Sequence, residues 1–167
     1  AVRARGGMPL ALLAGYGTSS DARDFIQPDV AGATAAIRSA LADAQLDPAS
    51  IGYINAHGTA TVLNDVNEAA ALRNVFGAAL DAIPVSSSKP IFGHGLGAAG
   101  GLELIVTVKA LVEQTVPPQI NFLEPDPACP LNLPTQGAFP REIGAALSNS
   151  FAFGGINAVL VVTRADL

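Results

Sequence analysis

The chain has 167 residues, half of them hydrophobic and 14% charged, with a formal net charge of −5. That length fits one domain or half of a larger unit, and the apolar surplus predicts a large buried interface with another chain or a missing segment. The acidic balance and the lack of a basic cluster argue against a nucleic-acid partner, while the lone cysteine, Cys129, forbids an internal disulfide and fits a reducing, cytoplasmic compartment.

The first seven residues carry charge with no apolar run behind them, so no secretory leader is expected. No run of about 18 apolar residues predicts a membrane span. Ala1 in place of Met fits a processed chain or a piece of a longer one. Residues 10–16 read as a first strand ended by glycine, with a loop over 17–21. Asp29 caps a helix over 30–45, with Ile37 and Leu41 on one face and Pro48 beyond its end. Residues 51–56 form a second strand that delivers His57 at its C-terminal end. Asn64 caps a second helix over 65–76, closed by Gly77. Residues 83–87 make a third strand, and a third helix runs over 97–114. That helix is apolar on nearly every side, which predicts burial between layers. Residues 116–134 are proline-rich and irregular, and strands over 143–149 and 157–163 follow. The order is βαβαβαββ, an α/β fold with a five-stranded mixed, mostly parallel sheet and a buried central helix.

Polar chemistry gathers in two stretches. His57 lies just past a strand, where ligands bind in α/β sheets. Its neighbours Thr59 and Thr61 alternate, so their hydroxyls point one way; the plain alternative is a loop histidine beside capping threonines. His94 follows the third strand in a comparable place. Two neutral imidazoles that converge on one oxygen suit a developing enolate or oxyanion. No third ligand stands at zinc-like spacing, so no metal is expected. A buried Lys89 needs a carboxylate. Asp65 and Glu68 share a helix face, and a Lys89–Glu68 pair would hold the two histidine loops together; two solvated charges are the other reading. Residues 95–100 match G-x-G-x-x-G, but residues 89–94 separate them from the strand. No acidic residue stands about 20 positions on, so dinucleotide binding is disfavoured. The plain reading of those glycines is close helix–sheet packing. Phe151, Phe153, Gly154 and Gly155 shape a turn between two strands, either a plain hairpin or a pocket wall with inward N–H groups. Cys129 stands between prolines, away from any helix N-terminus, and reads as structural.

Four segments resemble one family. They are Asn55-Ala56-His57-Gly58-Thr59-Ala60-Thr61, Asp65-Val66-Asn67-Glu68, Ser88-Lys89-Pro90-Ile91-Phe92-Gly93-His94-Gly95-Leu96-Gly97-Ala98-Ala99-Gly100 and Asn149-Ser150-Phe151-Ala152-Phe153-Gly154-Gly155-Ile156-Asn157. Together, and in order from Leu10 to Val162, they resemble the C-terminal half of β-ketoacyl-acyl-carrier-protein synthases, nearest to type II fatty-acid elongation enzymes. The resemblance implies a thiolase-like fold of two stacked βαβαβαββ halves. It implies decarboxylating Claisen condensation of an acyl thioester with malonyl-carrier protein. His57 and His94 would hold the malonyl thioester oxygen, and Lys89, Glu68 and Asp65 would order the site. Thr59 and Thr61 would touch the phosphopantetheine arm of the acyl carrier protein, the only carrier implied, with no cofactor bound by this chain. The Phe153 N–H would form half of an oxyanion hole and its ring would gate the acyl pocket, with Phe151, Gly154 and Gly155 around it. The full protein would be a cytoplasmic homodimer.

The family's nucleophilic cysteine lies in the N-terminal half, which is not in this sequence, so this chain alone is expected to be inactive in condensation. Asn64 and Ala152 stand where many relatives carry glycine. The rival reading is a non-catalytic partner like the chain-length factors of polyketide systems, against which both histidines and Lys89 argue.

Overall fold

This computed structural model describes residues 2–165 of the chain. The first strand, β1 (Ala11–Ser20), runs through the residues expected to turn. Gly15 and Gly17 do not end it. They let helix α1 (Val30–Asp43) lie directly on the strand: a Cβ at Gly17 would sit 2.1 Å from the Ala36 carbonyl oxygen, and one at Gly15 2.3 Å from that of Ala40. Asp29 caps α1 as expected, accepting from the Ala31 N–H at 2.9 Å. The strand bulges between Leu13 and Gly15, and past the bulge the Asp43 carboxylate accepts from the Tyr16 N–H at 2.9 Å.

Strand β2 (Ile51–Asn55) leads to helix α2 (Val62–Phe76), which starts at the Thr61 cap position. Asn64 therefore lies inside the helix rather than at its cap. Strand β3 (Val85–Ser86) is short, and the four-residue helix α3 (Lys89–Phe92) follows at once. The long apolar helix is α4 (Ala99–Glu113). A small hairpin of β4 (Thr115–Val116) and β5 (Phe139–Pro140), which hydropathy pattern did not predict, brackets the proline-rich segment. Strands β6 (Ala145–Ala152) and β7 (Ile156–Arg164) close the fold.

The main sheet has five strands in the order β1-β7-β6-β2-β3. β7 pairs antiparallel with both neighbours, and β6, β2 and β3 pair in parallel. Four strands thus run one way and β7 alone runs the other. The sheet is mixed, as the alternation of elements predicts, but its two long pairings are antiparallel and its two short ones parallel.

One core lies between the sheet and α1 with α2, built on Ile37, Leu41, Leu72, Ile54, Leu147 and Val161. A second, smaller core lies under α4, around Tyr53, Leu111, Ile143 and Val162. Only one side of α4 is buried: Ala99, Glu103, Thr107, Ala110 and Leu111. Its other side exposes Leu102, Ile105 and Val112, Ile105 by 60%. The expectation of a fully buried helix fails within this chain, because none of the described residues covers its outer side. Of the motif glycines, Gly97 faces open space, while a Cβ at Gly100 would lie 3.5 Å from Ser150 Oγ on β6, an ordinary helix–sheet contact.

Gly17→Ala forces a methyl group into the α1 backbone and is expected to destabilise the fold by about 3 kcal/mol. Urea unfolding of the two proteins checks this; an unchanged midpoint contradicts the close strand–helix contact.

Candidate active site

Three neighbouring parallel strands, β6, β2 and β3, end on one rim of the sheet. Ligand sites in α/β sheets form at this carboxyl-end rim. Each strand delivers part of the site. β6 carries Phe151, β2 leads to His57, and β3 leads through α3 to Lys89 and then His94.

His57 is 8% exposed and is held from several sides. Its N–H donates to Glu68 Oε1 at 2.9 Å, and the next N–H, of Gly58, donates to Glu68 Oε2 at 2.9 Å. Asn149 on β6 donates to the same Oε1 at 3.0 Å. Glu68, itself buried, thus pins the His57 loop to α2 and β6. Burial pushes its carboxyl above the usual carboxylate range; the hydrogen bonds from Gly58, Asn149 and His57 pull it back, and the nearby Asp65 charge raises it a little further. Asp65 accepts from the Asn64 side chain at 3.0 Å.

Lys89 is the central cation, but its partner is not Glu68. Its ammonium pairs with Glu103 of α4, and the two side chains are 6% and 3% exposed. It also donates to the His57 carbonyl and to His57 Nδ1, the latter at 3.2 Å. Glu68 is occupied by backbone N–H groups instead. The missed residue, Glu103, had one legible signal. It recurs with Thr107, Ala110 and Leu111 at helical spacing and is the one acid on that buried face.

The two imidazole rings stand edge to face, centroids 5.8 Å apart and planes at 86°. Phe151 packs on His57 from the other side at 5.8 Å. His94 is exposed, and its Nδ1 accepts from the Leu96 N–H at 3.2 Å. Both Nδ1 atoms therefore act as acceptors, and the ring proton of each histidine sits on Nε2. Burial, then the Lys89 charge and the His94 ring, push the His57 pKa down to about 3. Its imidazole is neutral at neutral pH.

The other expected residues have partners of their own. The Thr59 and Thr61 hydroxyls hydrogen-bond each other at 2.9 Å, so they do face the same way. Phe153 is 71% exposed and stacks on Phe25, centroids 6.1 Å apart. The Gly154 N–H donates to the Phe25 carbonyl at 2.7 Å, and the Asp21 N–H to the Gly155 carbonyl at 2.8 Å. Residues 21–25 thus tie down the 152–155 turn. Burial and the acids Asp126, Asp65 and Glu68 push the Cys129 thiol up, the opposite of an activated nucleophile. Among the described residues, Asn55 Oδ1 and Asn149 Oδ1 are buried side-chain oxygens without a partner, and no cluster of three or more His, Cys, Asp or Glu is placed to hold a metal. No helix of the described chain is long and apolar enough to cross a membrane.

Solved structures share this fold. A beta-ketoacyl synthase from Burkholderia phymatum STM815 superposes with a TM-score of 0.93 at 40% identity, over 98% of this chain and 40% of that one. The ishigamide ketosynthase/chain length factor superposes with a TM-score of 0.94 at 37% identity, with the same coverage of 98% and 40%. The mixed sheet with its reversed β7 and flanking helices is thus a thiolase-like ketosynthase fold. Residues 10–123 match the family described as beta-ketoacyl synthase, C-terminal domain, and the chain belongs to that family. Nodulation protein E of Rhizobium leguminosarum bv. trifolii is 48% identical over 157 residues, 94% of this chain and 39% of that protein. The 3-oxoacyl-acyl-carrier-protein synthase 2 of Staphylococcus aureus (strain COL) is 41% identical over 164 residues, 97% of this chain and 40% of that protein. The chain therefore spans about two fifths of the length of these relatives.

Two outcomes test the site's energetics. Glu103→Leu strands the Lys89 ammonium and is expected to cost about 3 kcal/mol, while Lys89→Met with Glu103→Leu recovers most of it; denaturant titration of the three variants checks this. The folded state binds a proton at His57 less tightly than the unfolded chain. Its contribution is complete above about pH 6.5 and is lost as pH falls toward 3. A His57→Asn variant is expected to lose less stability between pH 7 and pH 4 than the parent, measured by urea midpoints at both.

Proposed function

We propose that this chain is the C-terminal portion of a β-ketoacyl-acyl-carrier-protein synthase. It supplies the two histidines for decarboxylative Claisen condensation of malonyl-carrier protein with an acyl thioester in fatty-acid biosynthesis. The observation that carries this reading is the pair of imidazoles 5.8 Å apart, each with Nδ1 occupied as an acceptor and its proton on Nε2.

Loss of carbon dioxide from a malonyl thioester leaves an enolate oxygen. Two neutral N–H donors stabilise that charge without giving up a proton. The carbanion then attacks the acyl carbonyl of an enzyme-bound thioester, a carbon–carbon bond forms, and the thiolate leaves. That thiolate belongs to a cysteine outside this chain, in the N-terminal portion that relatives carry, so this chain alone performs no condensation. Lys89, with Glu103 beside it, keeps His57 neutral and oriented. Glu68 and Asp65 order the His57 loop. Thr59 and Thr61 hold the phosphopantetheine arm of the acyl carrier protein. The Phe153 N–H completes an oxyanion hole, and its ring, with Phe151, Gly154 and Gly155, borders the acyl pocket. The outer side of α4, with Leu102 and Ile105, packs against the N-terminal portion. The whole protein is a cytoplasmic homodimer.

The names of two similar structures include a chain length factor, which favours a second reading as a silent partner. The intact donor pair favours the enzyme.

In a synthase that carries this chain in the place its relatives give it, His57→Ala and His94→Ala are each expected to slow malonyl decarboxylation on the order of 100-fold. Carbon dioxide release from malonyl-carrier protein measures this, and parental rates in both variants refute the assignment. A parent without decarboxylation supports the silent partner.

A further inference from the structure

His57 and His94 sit on separate loops, so their spacing depends on what joins those loops. Ser87 is the buried residue where they meet. Its Oγ donates to the Gly58 carbonyl at 3.0 Å and accepts from the Lys89 N–H at 3.3 Å. Its own N–H donates to Gln119 Oε1 at 2.9 Å. Gly58 follows His57 directly and is pressed onto this residue: its φ is +43°, and a Cβ there would lie 2.6 Å from Ser87 Cβ. Gln119 comes from the proline-rich segment, and its own N–H donates to the Pro134 carbonyl at 3.0 Å. Lys89 also joins the two loops, but through a long stem with several rotors. The serine hydroxyl is the short and stiff link.

We propose that Ser87, locked by Gln119, is a positioning residue that sets the spacing of the His57 and His94 imidazoles. At 6% exposure Ser87 acts through the loops it joins. The proline-rich segment thereby becomes a support of the donor pair. This inference rests on the histidine roles under Proposed function.

The test uses the whole synthase. Acyl transfer onto the enzyme and decarboxylation of malonyl-carrier protein are measured separately for Ser87→Ala, Gln119→Met and Gln119→Glu. A displacement of about 1 Å in a donor pair is felt at the reacting atom, so kcat for decarboxylation is expected to fall about tenfold or more in Ser87→Ala and Gln119→Met. Acyl transfer stays within about twofold, because it does not use the enolate donors. Gln119→Glu keeps an acceptor for the Ser87 N–H and is expected to restore most of the loss. Nitrogen-15 spectra of the histidine rings are expected to shift in the two damaged variants. Should Ser87→Ala fail to fold, the Gln119 pair decides. Parental decarboxylation, or a parallel fall in both activities, overturns the clasp. His57→Ala runs alongside. If it still decarboxylates, the histidine reading itself fails; if it does not while the Ser87 and Gln119 variants do, only the clasp fails.

Discussion

The site is arranged around one buried positive charge. An ammonium at the depth of Lys89 is costly unless it is surrounded by acceptors. Glu103 from α4, the His57 carbonyl and His57 Nδ1 together provide them. That need draws α3, α4 and the loop after β2 to one point. It also decides the chemistry of His57, since a ring nitrogen that faces an ammonium accepts and cannot carry the proton. Glu68 meets the matching need on the other flank, where backbone N–H groups of the His57 loop would otherwise be buried without partners.

The fold makes this possible through strand direction. β6, β2 and β3 run in parallel and end on the same rim. A short β3 lets α3 begin at the rim itself, which brings Lys89 under His57. The reversed β7 lets β6 and β7 join in a tight turn, which puts Phe151 against His57 and Phe153 on the outside.

Much of this could be read from residues. Alternation of strands and helices located most of the elements, and the two histidine stretches fell where strand ends should be. The failures share a cause: each turns on a contact between elements distant in sequence. Glycine reads as a strand end until α1 is seen lying on Gly15 and Gly17. Asn64 has the chemistry of a cap, yet Thr61 takes that place. Glu68 reads as the partner of Lys89 until the sheet puts it against backbone N–H groups and puts Glu103 against the ammonium. Ser87 has no signature in a run of three serines, because its role lies in what it touches. The apolar character of α4 predicted burial on all sides, and the helix is covered on one side only, within a chain that spans about two fifths of its relatives.

β1 lies at the sheet's rim with one edge unpaired, and the Asp43 carboxylate sits on its Tyr16 N–H beside a bulge. A negative charge on an edge donor repels an incoming carbonyl, and a kinked strand offers a poor template. The open edge of β1 is thereby a poor seam for a second sheet.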